Sequence, residues 1–101
     1  MIQMVSYWKN TQIIYQDDNF VIIIGYYNHM DGSTLGDKAL GVYWDNGSIG
    51  FPNARGILTP CVIPNTVAIA MLAGLLSNTV INNPSDSKQI QSLKDAIDFL
   101  R

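Results

Sequence analysis

The pattern of hydrophobic and polar positions changes along the chain, from strand-like segments in the first sixty residues to helical segments after residue 64. Phe20–Tyr27 is a continuous apolar run of strand length. Both faces of such a strand must be buried, so the run predicts a central strand. Runs rich in branched and aromatic residues at Met4–Trp8, Thr11–Gln16 and Ala39–Trp44 predict further strands. The short connections favour antiparallel pairing, because a parallel crossover needs a dozen or more residues.

Turn signals lie between these runs. Lys9-Asn10 predicts a turn after the first run. Asn46-Gly47 predicts a type I′ hairpin turn, because both residues tolerate a positive φ, and this turn would return Ile49–Phe51 beside the preceding strand. Pro60 lies inside the extended segment Ile57–Ile63 and restricts it to an edge strand or a bent segment.

Two helices are predicted at the end of the chain. The first begins near Asn65, which can cap it, and runs to about Asn78 around the segment Val67–Leu76, which is apolar on every face. The second spans Asp86–Leu100 and has a single apolar stripe. Strands followed by helices predict one α+β domain over residues 1–101. It would have a mostly antiparallel sheet of four to five strands and two C-terminal helices packed on one face.

The first helix lies in an uncharged stretch of thirty residues, Gly56 to Ser85. A helix that is apolar on every face must be covered on every face, and a chain of 101 residues has few elements to do so. Ala70 and Gly74, four residues apart, would allow close approach of another backbone. We therefore predict a homodimer, with interface residues Ala70, Met71, Gly74 and Leu75. The alternative is a monomer whose second helix and loops cover the first.

Composition and charge narrow the classes of function. Charged residues make up 14% of the chain, and the net charge is −2. The six basic residues are scattered, whereas nucleic-acid binders carry clustered ones. The single cysteine excludes an intramolecular disulfide. The start of the sequence lacks the features of a signal peptide, and the apolar run at Val67–Leu76 is shorter than a bilayer span. We predict a cytoplasmic protein that binds neither nucleic acid nor membrane.

Metal and nucleophile motifs are missing from the sequence. A structural zinc site needs about four Cys or His ligands, and Cys61 and His29 are the only ones. We therefore predict no metal and no cofactor. Asp31, Asp37 and Asp45 stand beside or near glycines and are interpreted first as turn formers. Their convergence into a carboxylate site is the alternative.

Nine of the ten aromatic residues precede residue 60. Adjacent pairs, as in Tyr26-Tyr27, place one ring on each face of a sheet, so one ring of each pair should face away from the helices. These rings either pack ordinarily or form a binding surface. For the second case, the candidate ligand-binding residues are Trp8, Tyr26, Trp44, His29, Asp31, Asp37 and Arg55.

The middle of the chain resembles the small proteins carried on mobile gene cassettes of bacterial integrons. The segments that carry this resemblance are Leu40–Trp44, Gly50–Gly56 and Pro60–Pro64, with the helix that follows. The resemblance covers about half of the chain and implies a bacterial accessory protein with a compact α+β fold that self-associates. It transfers no catalytic residue.

These observations predict a non-catalytic binding or adaptor module whose partner is a small molecule or a protein. The alternative is a small hydrolase or isomerase that uses Asp31, Asp37 and His29 in a cleft at the dimer interface. Such an enzyme needs its acid and base within about 3 Å of a common reacting atom.

Overall fold

The computed structural model describes residues 7–28 and 36–101 and confirms the predicted α+β class. Part of the first predicted strand, Met4–Trp8, lies outside the described residues. The elements are β1 (Trp8–Asp17), β2 (Phe20–Tyr27), β3 (Asp37–Trp44), β4 (Asn53–Ala54), β5 (Ile57–Leu58), β6 (Cys61–Ile63), α1 (Asn65–Asn82) and α2 (Ser87–Leu100).

Four of the strands form one antiparallel sheet in the order β1-β2-β3-β6. β2 lies between β1 and β3, which confirms the central position predicted from its continuous apolar run. β3 pairs with β2 along its full length, from Trp44 opposite Phe20 to Asp37 opposite Tyr27. β4 and β5 pair with each other in a separate two-stranded hairpin.

β1 continues through Lys9 and Asn10, so the turn predicted there is wrong. Asn10 has a φ of 53°, and the pairing register with β2 shifts between Lys9 and Gln12, as in a β-bulge. Gly25 of β2 makes room for this irregularity, because a Cβ atom there would lie 3.0 Å from the carbonyl oxygen of Lys9. The turn-favouring asparagine therefore supplies a local positive φ within a strand.

The connection predicted at Asn46-Gly47 brings Phe51 back beside Trp44, but its turn is not type I′. Trp44 and Phe51 exchange two backbone hydrogen bonds of 2.7 and 2.8 Å around the loop 45–50. Gly47 has a φ of 79°, whereas Asn46 is not among the residues with a positive φ. Instead, Oδ1 of Asn46 accepts hydrogen bonds from two backbone N–H groups of the loop, each 3.0 Å long. The asparagine organises the loop through its side chain.

A two-residue turn with two positive φ angles occurs at Arg55-Gly56 instead. Arg55 has a φ of 54° and Gly56 a φ of 77°, and they join β4 to β5. The chain then bends at Thr59-Pro60 before β6, which forms an edge of the sheet. This confirms the prediction that Pro60 restricts the segment to an edge strand or a bend.

α1 differs from its prediction at both ends. Pro64 occupies the N-cap position without a side-chain cap, and Asn65 is the first helical residue. The side chain of Asn65 instead donates to the carbonyl oxygens of Lys38 and Leu100, at 3.3 and 3.5 Å. α1 continues past the predicted end at Asn78 to Asn82. The chain therefore uses Asn65 to connect α1 to β3 and α2.

α2 agrees closely with its prediction. Asp86 is its N-cap, and the Asp86 side chain accepts a hydrogen bond of 3.1 Å from the backbone N–H of Gln89. Gln89 also donates 2.8 Å to the carbonyl oxygen of Ile14 in β1. This bond fixes the start of α2 against the edge of the sheet.

The sheet has a hydrophobic core on each of its faces. The helix-side core joins sheet residues to both helices and consists of Ile14, Ile22, Ile24, Leu40, Val42, Ala68, Leu72, Leu93, Ala96, Ile97 and Leu100. The second core lies on the opposite face and consists of Trp8, Val21, Ile23, Ala39, Tyr43 and Leu58. Alternate residues of β2 contribute to the two cores, which is why the whole strand is apolar.

Trp8 of the second core lies on a glycine of β3. A Cβ atom at Gly41 would be 2.7 Å from Cζ2 of the Trp8 indole and 3.3 Å from Pro60. The indole is a rigid ring, so it cannot move aside by rotating a flexible end. Gly41 is therefore needed for the indole to cover the sheet.

We expect Gly41→Ala to lower the free energy of unfolding by about 1–3 kcal/mol, because the added methyl group overpacks the second core. Urea denaturation measures this loss. In a Trp8→Leu background the rigid ring is absent, so the same substitution should cost clearly less. An equal loss in both backgrounds would contradict this account of Gly41.

Candidate functional site

Of the three aromatic candidates, Trp44 alone presents a large part of its ring to solvent. Trp8 is 6% exposed and belongs to the second core, and its Nε1 has no hydrogen-bond partner among the described residues. Tyr26 packs edge-on against Phe99 of α2, with ring centroids 5.4 Å apart. Trp44 is 40% exposed. The alternation predicted for Tyr26-Tyr27 is confirmed, since Tyr27 packs against the second core.

Asp37, one of the polar candidates, does not form one site with Trp44. Asp37 is the first residue of β3 and Trp44 the last, so they are about 24 Å apart at the usual rise of a strand. Arg55 is exposed in the turn of the β4–β5 hairpin, which leaves the sheet near the Trp44 end. His29 and Asp31 lie outside the described residues.

Of the carboxylates considered for a shared site, Asp37 and Asp45 are also separated, and Asp31 lies outside the described residues. Asp37 is the first residue of β3 and Asp45 follows its last, so these two side chains do not converge. Within residues 7–28 and 36–101, no three His, Cys, Asp or Glu side chains lie close enough together to hold a metal ion. Cys61 is a free, exposed cysteine on β6.

Asp37 lies in a cleft of about 590 Å³ between the starts of β3 and α1 and the end of α2. Lys38, Asn65 and Arg101 contribute further polar side chains to its lining. The Lys38 ammonium lies 5.2 Å from the centre of the Phe99 ring, and Arg101 forms an exposed ion pair of 4.0 Å with Asp98. The cleft is thus open and lined by side chains of both charges.

Three rings lie side by side at the other end of the sheet. Phe20, Trp44 and Phe51, which we call the aromatic row, are paired residues on β2, β3 and the segment after the 45–50 loop. Their side chains therefore lie on the same face, which is the helix side because Phe20 packs on that core. The ring centroids are 5.1 and 6.2 Å apart. Asp17 of β1 is paired with Phe20 and extends the row by a carboxylate.

The sequence identified Trp44 in this row and missed the other members. Phe51 is 59% exposed and lies beside Trp44 only because the 45–50 loop returns the chain there. The position of Asp17 beside Phe20 depends on the register of β1 against β2, which no local pattern predicts. The loop signal at Asn46-Gly47 was the available indication that Phe51 would meet Trp44.

The outer face of α1 is uncharged and exposed. Its exposed residues include a row at spacings of three and four, which we call the α1 seam: Val67, Ala70, Gly74, Ser77 and Ile81. Ile81 is 73% exposed and Val67 52% exposed, and a Cβ atom at Gly74 would contact no atom of the described residues. Of the four predicted interface residues, Ala70 and Gly74 lie on this seam. Met71 and Leu75 are half-buried and pack against the helix-side core.

Within the described part of the chain, α1 alone is long and apolar enough to cross a bilayer by length and composition. It nevertheless belongs to the folded domain, since Ala68 and Leu72 are buried against the helix-side core. Its outer face still exposes apolar side chains that no other described residue covers.

Burial raises the pKa of Tyr43 above 10.0, and the nearby charge of Asp45 raises it further. Both causes disfavour the phenolate: burial removes its hydration, and the carboxylate repels it. Tyr43 belongs to the second core, so this shift concerns the stability of the fold at high pH.

Comparison with protein-family models, with curated proteins and with solved structures finds no match to this chain.

We expect the free energy of unfolding to fall as the pH rises above about 10. The folded protein holds the Tyr43 proton to a higher pH than the unfolded chain does, so its contribution is complete below pH 10 and is lost above it. Tyr43→Phe should make this fall less steep, as measured by denaturant unfolding at pH 8 and at pH 11. The other tyrosines are common to both proteins, so parallel pH dependences would contradict the assignment to Tyr43.

Proposed function

We propose that this chain is a non-catalytic binding module that acts as a homodimer, with α1 at the interface. The observation that carries the proposal is the outer face of α1. The helix has 18 residues without a charged side chain, and only Ala68 and Leu72 of them are buried. A soluble monomer rarely leaves so much uncharged helix surface uncovered, and such surfaces mark interaction sites.

The spacing of the α1 seam supports a helix as the partner. Residues at alternating spacings of three and four form one line along a helix, as do the core positions of a coiled coil. Small residues at Ala70 and Gly74 permit close approach of two helix axes. Because the seam carries no charge, two copies can meet there without burying an ionised group.

The seam is also nearly symmetric about its midpoint, which favours a second copy over an unrelated helix. Val67 and Ile81 are each seven residues, or about 10 Å, from Gly74. In an antiparallel pair related by a two-fold axis near Gly74, Val67 would face the partner's Ile81 and Ala70 the partner's Ser77. The larger side chains would then enclose a centre of small ones, as a self-complementary interface requires.

A membrane is a poorer partner for this face. Although α1 as a whole has the length and composition of a bilayer span, its central apolar run Val67–Leu76 extends only about 15 Å, about half of the roughly 30 Å hydrocarbon core. Helices that lie in a membrane surface commonly carry Lys or Arg on their polar face, and α1 has neither.

The size of the seam sets the strength of the expected dimer. An 18-residue helix is about 27 Å long, and the strip that it presents is smaller than the roughly 800 Å² per partner of a typical stable interface. We therefore expect a reversible dimer whose population depends on concentration. A reversible dimer of this kind suits a module whose two copies associate when they bind another molecule.

The location and origin of the module are part of the proposal. A free, exposed Cys61 suits a reducing compartment, which supports a cytoplasmic protein. The resemblance to integron cassette proteins supports a bacterial accessory protein.

We expect Gly74→Arg to abolish dimer formation and leave the fold intact. The position is open in the domain, and arginine is a better helix former than glycine. Native mass spectrometry and light scattering over a range of concentrations should show two chains of 11.2 kDa together for the wild type and one for the variant. Circular dichroism verifies that the variant is folded.

Asn82→Arg is the matched control, because it adds the same charge at an exposed position of α1 outside the seam. It should dimerise like the wild type. A wild type that stays monomeric up to about millimolar concentration, or equal dimerisation of Gly74→Arg, would refute the proposal. Flotation of the wild type with neutral lipid vesicles would assign the face to a membrane instead.

A further inference from the structure

The aromatic row forms a second exposed surface, at the end of the sheet and separate from the α1 seam. Phe20, Trp44 and Phe51 are neighbours across the sheet, and Asp17 is paired with Phe20 at the β1 end. One carboxylate and three rings thus lie in one line on one face. Ile49 of the adjoining loop is 39% exposed.

The rings present π faces that the domain leaves largely open. Trp44 and Phe51 are 40% and 59% exposed, and their planes are tilted by 53°. A ring face is electrostatically negative and attracts a cation within about 6 Å of its centre. In the described part of the chain, the cation–π contact is made by Lys38 with Phe99, at the opposite end of the sheet.

The charges near the aromatic row are mainly negative. Asp17 is exposed, Asp18 follows it in the turn, and Asp45 follows Trp44. Among the described residues, the ion pair is between Arg101 and Asp98, so none of these three carboxylates has an ionic partner there. Arg55 lies in the β4–β5 turn and Lys88 of α2 lines the cleft beside Gln16, and neither forms an ion pair among the described residues. Within the described part of the chain, the carboxylates beside the row are therefore not neutralised by an ion pair.

We propose that the aromatic row and Asp17 bind an arginine or lysine side chain from an extended segment of a partner polypeptide. The planar guanidinium of arginine fits best, because it can stack on a ring and donate hydrogen bonds to a carboxylate at once. This inference rests on the proposal of a binding module and adds the chemistry of its partner. It uses a different surface from the α1 seam, so the two can fail separately.

The shape of the surface favours a polypeptide over a free small molecule. Small-molecule sites are usually concave and bury most of the ligand. No member of the aromatic row lines the cleft at Asp37, nor the cleft of about 290 Å³ between β1 and the start of α2. On an open row of rings, one arginine or lysine side chain of the partner can stack on a ring. The rest of the partner's extended segment then contacts the protein surface around the row.

The test uses the full chain and a capped peptide of four Gly-Arg repeats at low salt, followed by ¹H–¹⁵N NMR. The two indole N–H signals act as site and control, because Trp44 lies in the row and Trp8 is buried in the second core. We expect the Trp44 signal to shift to saturation and the Trp8 signal to stay in place. A peptide with citrulline in place of arginine has the same shape without the charge, and it should bind much more weakly.

Two variants test the contacts. Phe51→Leu keeps an apolar side chain but removes the π face, and Asp17→Asn removes the charge. Each should weaken binding of the Gly-Arg peptide by about two- to fivefold, the range of one exposed cation–π contact or surface ion pair. The matched controls, Val80→Ala on α1 outside the seam and Asp95→Asn on α2, change exposed side chains elsewhere and should bind like the wild type.

The absence of a saturating Trp44 shift would overturn the proposal, as would equal binding of the citrulline peptide or full affinity in both row variants. Measuring the mass of the protein in the same samples separates the two proposals. A dimer that ignores the Gly-Arg peptide refutes only the partner chemistry, and a monomer that binds it refutes only the α1 interface.

Discussion

The burial of β2 on both of its faces is the constraint on which the rest of the structure depends. Val21 and Ile23 face one side of the sheet and Ile22 and Ile24 the other, and all four are buried. Removing this much apolar surface from water is the main favourable term in folding the domain. The chain must therefore supply a cover for each face, and it has few elements available.

The two covers are built differently. α1 and α2 cover one face with regular helical packing. The other face is covered by the Trp8 indole lying on Gly41 and by Leu58 of the β4–β5 hairpin. Because α2 and the sheet take the inner side of α1, its outer side is left to solvent. Because neither cover encloses the last row of the sheet, Trp44 and Phe51 also remain exposed. Both proposed interaction surfaces are consequences of how the covers are placed.

The sequence identifies a candidate residue only where a local pattern indicates its position, such as small residues four apart on one helix. Ala70 and Gly74 were identified because small residues four apart share a helix face, and both are exposed. Met71 and Leu75 were predicted at the same interface but are half-buried against the helix-side core. The direction in which a helix docks decides which of its apolar faces is buried, and the sequence does not show that direction. Trp8 was proposed as a surface ring and is a core residue, since a ring facing away from the helices still finds a cover in the second core.

The sequence by itself determined the class of the fold, the central strand, the limits of α2 and the edge position imposed by Pro60. Each follows from periodicity or from a missing backbone donor, and these properties act within a few residues. The tertiary structure alone decided which face of α1 is exposed, where the turns with positive φ lie, and that Asp17, Phe20, Trp44 and Phe51 share one row. These depend on pairing register and docking direction, which are fixed by contacts between segments distant in the chain.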